Sequence, residues 1–189
     1  SMPNLILGID PGSRVMGYAV LSEDRGTLTA LRCDVIRLAH IENHTDRLNV
    51  IFDKVTALIG SINPTSCAIE TPIYGVDPQA MLKLGRAQAA AILAMKQQGK
   101  EVHEYYPKEV KKAITGNGNA SKEQVAFMLG KMVKLPGEKL SNDATDALAV
   151  AWCHNMNIKG AKTRKQVHQN NKKGDWAAFV ADHPSRVKS

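Results

Sequence analysis

A chain of 189 residues, 43 % of them hydrophobic, holds enough apolar material for one packed domain, which excludes wholesale disorder. Its early apolar stretch, Leu5–Ile9, is too short for a membrane span or a signal peptide, so a soluble cytoplasmic protein with no membrane association is expected. The net charge of +7 favours a polyanionic partner, and residues 159–189, with eight Lys or Arg against two acids, carry most of the excess.

The elements read in chain order as follows. Leu5–Asp10 reads as a buried strand, residues 11–13 as a turn, and Gly17–Leu21 as a second strand pairing with the first as a hairpin. A third strand lies within Leu28–Leu38. Leu48, Ile51, Val55, Leu58 and Ile59 recur at three- and four-residue spacings, which marks a helix. Cys67–Glu70 is a short buried strand, and a long helix is expected from Pro78 to Gln98, with Met81, Leu84, Ala91, Ile92 and Met95 facing inward. Val102–Tyr106 is a fifth strand, followed by helices at Lys108–Ile114 and from a Ser121 cap to Val133. A last core helix is capped by Ser141 or Asn142 and buries Ala144, Ala147, Leu148, Ala151 and Trp152.

Three strands, then helix, strand, helix, strand and helices imply an α/β domain with a mixed sheet over residues 2–156. Residues 157–189 form a basic tail. Within it Lys159–Gly174 has a linker composition, and Trp176, Phe179 and Val180 recur at helical spacing. The tail reads as disordered and basic; the alternative is a tethered turn, Asp175–Val180, that docks on its own dimer or on a partner while the linker touches the polyanion. The three cysteines, Cys33, Cys67 and Cys153, have no CxxC spacing and read as small core residues in a reducing compartment.

Four acids carry the chemical signal. Asp10 and Glu70 each end a buried strand, and Asp143 and Asp146, three apart at a helix start, face one way. Each has a plain alternative: a turn at Asp10, an exposed strand end at Glu70, helix-dipole stabilisation at the other two. Together they form a converging set of charges whose burial demands compensation. Hard oxygen donors suit Mg²⁺ or Mn²⁺, and two such ions can clamp a phosphodiester.

The run ILGIDPG over residues 6–12 with Gly17 and Tyr18, AIE at 68–70, LKLG at 82–85, EYYP at 104–107, Val110 and Lys111, residues 116–120 with Lys122, Gln124 and Val125, and DATDALA at 143–149 resemble the RuvC family of Holliday-junction resolvases. The resemblance runs from about Leu5 to His154. It implies a ribonuclease H-like fold, with a five-stranded mixed sheet flanked by helices. It further implies a homodimer, a branch-migration helicase partner, nucleoid association in a bacterial cytoplasm, and paired symmetric nicks in four-way junction DNA during recombination and repair. Asp10, Glu70, Asp143 and Asp146 then hold two Mg²⁺, with Mn²⁺ able to substitute, and Lys122 shares in catalysis.

Lys111 and Lys122 stand at the family's basic positions near the scissile phosphate, and Lys83 and Arg86 on the long helix are further DNA-contact candidates. Where similar sequences place a Phe as junction wedge this chain has Ile73, followed by Tyr74. His103 and His154 read as structural. The small residues Gly85, Ala87, Ala89, Ala90 and Ala91 would permit close helix contact in a dimer. A nuclease for flaps or RNA precursors, a junction binder without catalysis, and a strand transferase are the competing readings.

Overall fold

Residues 1–73, 75 and 77–182 are described by the computed structural model, with side chains through Lys165. Two units are distinguished, Ser1–Asn155 and one beginning at Met156. The first is built on β1 (Asn4–Asp10), β2 (Val15–Asp24), β3 (Thr27–Arg37), β4 (Ser66–Glu70) and β5 (Val102–Tyr105). The sheet order is β3-β2-β1-β4-β5, antiparallel across the first three strands and parallel from β1 to β4 and β4 to β5. Sequential antiparallel strands close through short turns, whereas the parallel steps need helices as crossovers. These are α1 (His44–Ile62) and α2 (Pro78–Gln97); α3 (Pro107–Thr115), α4 (Lys122–Met132) and α5 (Asn142–Asp182) follow.

Alternation along the strands assigns the two sheet faces. Leu7, Ile9, Tyr18, Val20, Cys67 and Ile69 join the core formed with Ile51, Val55, Leu58 and Ile59 of α1 and Ala87, Ala91, Ala94 and Met95 of α2. The intervening positions, Gly8, Asp10, Gly17, Ala68 and Glu70, therefore face the other way, toward α5. The inward face of α2 differs from the expected one. Ala87, Ala90, Ala91, Ala94 and Met95 are buried, while Met81, Leu84 and Ile92 are only half-buried. Alanines let the α2 backbone lie close to α1 and the sheet, so three of the five small residues expected at a dimer contact are already covered within the protomer.

α5 begins as expected. The Ser141 hydroxyl accepts the Ala144 amide at 3.2 Å, and Ala147–Asn155 are buried on every side of the helix. Glycine sets how near it comes. A Cβ on Gly8 would lie 2.3 Å from the Ala147 carbonyl oxygen, and one on Gly17 would lie 2.0 Å from that of Asp143. Both distances are far inside van der Waals contact.

The expected linker is helical: the backbone of Lys159–Gly174 continues α5, which ends at Asp182. Lys, Arg, Gln and Ala are strong helix formers, and no proline interrupts them before Pro184. Side chains of Trp176, Phe179 and Val180 lie outside the described residues. Among the described residues no helix is long and apolar enough to cross a membrane. Cys67 and Cys153 are buried, Cys33 half-buried, and all three are free thiols.

Replacing Gly8 with Ala should cost about 2–3 kcal/mol in urea unfolding, because backbone rather than a mobile side chain blocks the methyl group. Gly60→Ala, in α1 with open space around it, should instead gain about 0.5–1 kcal/mol. Equal effects at the two positions would contradict the close approach of α5.

Candidate active site

The register of the central strands places the acids. Ile9 pairs with Ile69 across β1 and β4, so Asp10 and Glu70 follow side by side at the same sheet edge and on the α5 face. Asp143 is the second residue of α5 and Asp146 lies one turn on. Because α5 rests on Gly8 and Gly17, this first turn is held over the end of β1. One carboxylate oxygen each from Asp10, Asp143 and Asp146 all lie within 4.8 Å of one another. Glu70 stands outside that triad, coupled to it by charge rather than by shared ligand distance. The four acids expected to converge are thus three in one cluster and a fourth beside it.

Crowding is visible in the protonation of these groups. Asp10 is pushed from an ordinary 3.8 to about 8, first by burial and then by the charges of Glu70, Asp146 and Asp143. Glu70 rises from 4.5 to about 7 by burial and the charge of Asp146. Asp146 is raised by burial, against the pull of Lys122. Lys122 is held protonated above its ordinary range by Asp146, whose Oδ2 accepts from Nζ at 3.2 Å. Lys122 is the N-terminal residue of α4, and Ser121 behind it caps that helix through Gln124.

A cleft of about 130 Å³ opens beside these groups, lined by Glu70, Pro107, Val110, Lys111, Lys122, Val125, Asp146 and Ala149. The positive charge of Lys111 lowers the pKa of both Glu70 and Asp146, so this lysine belongs to the same field. A larger hollow of about 500 Å³ between β3 and α1, lined by Tyr18, Arg32, Lys54 and Ser61 among others, brings no acids together, and the chemistry lies with the smaller cleft.

Other expected site residues fall outside the cleft. Lys83 and Arg86 are exposed on α2, and Ile73 is 41 % exposed just beyond the end of β4. Tyr74 lies outside the described residues. His154 is a buried tie rather than a ligand. Its Nε2 lies 3.0 Å from Ser66 Oγ, its Nδ1 lies 2.6 Å from Tyr105 Oη, and His103 stacks on it. Burial, with the His103 charge behind it, drives the His154 pKa down to about 4, so the ring stays neutral.

Three supporting residues escaped sequence reasoning. Gly8 admits α5; it stands within the ILGIDPG run, but its role was signalled only by a glycine inside an apolar strand. Gln88 on α2 donates from Nε2 to Thr71 Oγ1 at 2.9 Å and to the Glu70 carbonyl oxygen at 3.3 Å, steadying the end of β4. Arg47 on α1 donates to the carbonyls of Ile41 and Ser13 at 2.5 and 3.1 Å, fastening the turn that follows Asp10. Neither polar residue belongs to a short motif.

The donor set fits divalent cations. Three carboxylates this close repel one another unless a counter-charge sits among them, and burial, joined by that repulsion at Asp10 and by the charge of Asp146 at Glu70, keeps both groups protonated up to neutrality. A mixed five-stranded sheet with acids at the ends of its first and fourth strands and at the start of a helix laid across it is a ribonuclease H-like domain with a candidate metal site. The sequence model of "Crossover junction endodeoxyribonuclease RuvC" matches residues 6–154. Proteins of that description from Salinibacter ruber and Porphyromonas gingivalis are 43 % and 42 % identical, each covering 97 % of this chain, and this chain covers 98 % and 97 % of them. The solved structure "T. thermophilus RuvC in complex with Holliday junction substrate" superposes with a TM-score of 0.77 at 27 % identity, over 84 % of this chain and 96 % of that one. The chain belongs to the RuvC family of crossover junction endodeoxyribonucleases.

The raised pKa values predict a pH-dependent stability. The folded chain keeps protons on Asp10 and Glu70 that the unfolded chain releases near pH 4, so ionising them costs stability as pH climbs from about 4 to about 8. Asp10→Asn should therefore raise the melting temperature of the metal-free protein at pH 8.5. Each kcal/mol recovered corresponds to about 2–4 °C in a domain of this size. At pH 3.5 the gain should vanish. A gain of the same size at both pH values would show that charge repulsion is not its source.

Proposed function

We propose that the chain resolves four-way DNA junctions by metal-dependent phosphodiester hydrolysis, making paired symmetric nicks in recombination and repair. The triad of Asp10, Asp143 and Asp146 with Glu70 at its side is the observation that carries this reading, together with membership of the family. These four side chains would hold the ions, Mg²⁺ at two per site with Mn²⁺ able to substitute. Bound there, the ions supply Lewis acidity toward the phosphodiester and its attacking water.

The protein's own groups do the rest. Asp10, at the end of the central strand, and Glu70 beside it must shed their protons for binding, so lower pH opposes loading of the site. Lys122 is fully charged and 66 % exposed, yet tethered to Asp146, so it can turn toward the phosphate and offset charge gained in the transition state. Lys111 contributes a second positive charge to the cleft lining. Ile73, or Tyr74 after it, would serve as the wedge that unstacks the junction centre.

Paired cuts need two sites related by a twofold axis, hence a homodimer. Leu82 and Leu93 are 55 % and 58 % exposed on α2, and Gly85 and Ala89 between them are exposed as well, at spacings of three and four residues. This stripe is the contact we assign to the second protomer. The enzyme would act in the cytoplasm on nucleoid DNA, alongside a branch-migration helicase.

A synthetic mobile four-way junction with Mg²⁺ should yield nicks at symmetric positions on opposing strands, whereas nicks confined to flaps or RNA would overturn the proposal. Asp10→Asn should abolish cutting, by at least about a thousandfold, while junction binding in a gel-shift assay persists. Leu82→Glu with Leu93→Glu should shift the mass by light scattering from dimer to monomer and uncouple the paired nicks. A dimer that survives both substitutions would place the interface elsewhere.

A further inference from the structure

The acid-bearing edge of the sheet carries a second charged cluster, on its other face. β2 and β3 are antiparallel, with Val15 opposite Arg37, so β3 ends at the same edge as β1 and β4. α1 starts there at His44 soon after β3, and α2 starts there at Pro78 soon after β4. The first turn of α1 and the second and third turns of α2, which pack together, set His44 and Arg47 near Lys83 and Arg86.

The charges acting on His44 are all positive. Arg86, Lys83 and Arg47 each oppose its protonation, adding to the effect of burial. Arg47 is committed to the backbone carbonyls of Ile41 and Ser13. Lys83 and Arg86 are exposed, and among the described residues no carboxylate forms an ion pair with either. Both ring nitrogens of His44 are covered and have no hydrogen-bond partner among the described residues. Covered polar atoms usually find partners, and clustered cations usually find acids. This cluster has neither, so it is electrostatically incomplete in a way that an anion would mend. Along the helix, Lys83 lies to one side of the exposed Leu82–Gly85–Ala89–Leu93 stripe, and Arg86, one turn on from Leu82, borders it.

We propose that His44, Lys83 and Arg86 form a binding site for a DNA backbone phosphate, on the α1–α2 side of the sheet edge that carries the acids, and that filling it is coupled to proton uptake by His44. Lys83 and Arg86 hold the phosphate; burial is the larger cause disfavouring the charged imidazole, and the phosphate's negative charge offsets the second, the field of Arg86, Lys83 and Arg47, so that the protonated ring can add a third positive charge. With Lys111 and Lys122 on the α5 side, the acids are flanked by cations on both faces of one edge, a track along which a duplex arm can run. The inference rests on the chain being a DNA-binding nuclease, but not on its preference for branched DNA.

The linkage has a definite sign. The imidazole is neutral at physiological pH in the free protein and gains a proton in the complex, so affinity rises as pH falls through the range between its free and bound midpoints. Each pH unit by which DNA raises that midpoint can add up to about tenfold in affinity.

The test uses the full-length chain in EDTA, with a labelled four-way junction and a linear duplex as probes. Lys83→Ala combined with Arg86→Ala should weaken both complexes about tenfold or more and reduce the slope of log K against log salt by about one. An unchanged slope would overturn the site and leave the cluster to a protein partner. Histidine ring NMR, with the His44 signal assigned by its loss in His44→Gln, should show the midpoint moving upward when duplex is added. A midpoint that DNA leaves in place would overturn the coupling. Between pH 8 and pH 6 the wild-type chain should gain more affinity than His44→Gln, and since the acid cluster titrates in both, the difference belongs to His44. A wild-type chain that binds duplex as well as junction would defeat the junction-resolving function and not this site.

Discussion

Everything at the catalytic edge depends on how close α5 lies to β1 and β2. The contact is backbone against backbone, made where Gly8 and Gly17 lack side chains. A helix laid on a sheet through ordinary side chains stands about 10 Å away, too far for short aspartate side chains to meet a strand-end carboxylate. Here the approach brings Asp143 and Asp146 onto Asp10, and burial, with the resulting repulsion added to it, leaves protons on Asp10 and Glu70 near neutrality. Packing energy gained along α5, from Ala144 to Cys153, is what offsets that repulsion. The fold holds an unfavourable arrangement of charges ready for cations, which is the cost of preorganisation.

Legibility in the sequence followed the strength of periodicity. Strand alternation and the apolar runs before Asp10 and Glu70 were plain, so the mixed sheet and the strand ends carrying these acids could be anticipated. The three-residue spacing of Asp143 and Asp146 likewise placed them on one side of a helix. The inner face of α2 was misjudged because apolar size was taken as the guide. Met81, Leu84 and Ile92 looked more buried than alanines, yet small residues are what a close helix crossing selects. The continuation of α5 through Lys159–Gly174 was missed for a related reason: polarity was read as irregularity, although Lys, Arg and Gln favour helix whether or not a face is buried.

What stayed hidden were contacts between distant segments. Gln88 meets Thr71 and the Glu70 carbonyl, and Arg47 meets Ser13, only once α1 and α2 are docked on the sheet. No spacing rule predicts such pairs, since they arise from three-dimensional packing of polar side chains against loop carbonyls. Both residues brace the ends of strands that carry acids. Precision at the cluster is therefore distributed: β1 and β4 set direction, α5 sets distance, and two polar side chains from the opposite layer restrain the loops.

The distribution of cations at this edge completes the argument. An acid cluster alone would repel a nucleic-acid backbone before any ion bridged them, and at 4–5 Å such repulsion is felt strongly in a partly buried setting. Lys122, bonded to Asp146, and Lys111, in the same cleft, answer it locally. They also weaken the site's pull on cations, because each lowers the basicity of the carboxylates it faces. Cations on the other face of the sheet, at Lys83 and Arg86, would attract the same polyanion with less of that penalty, since neither is among the charges named as shifting Asp10, Glu70 or Asp146. Separating groups that would hold the ions from groups that would draw the DNA would let one edge of a small sheet serve both charges at once.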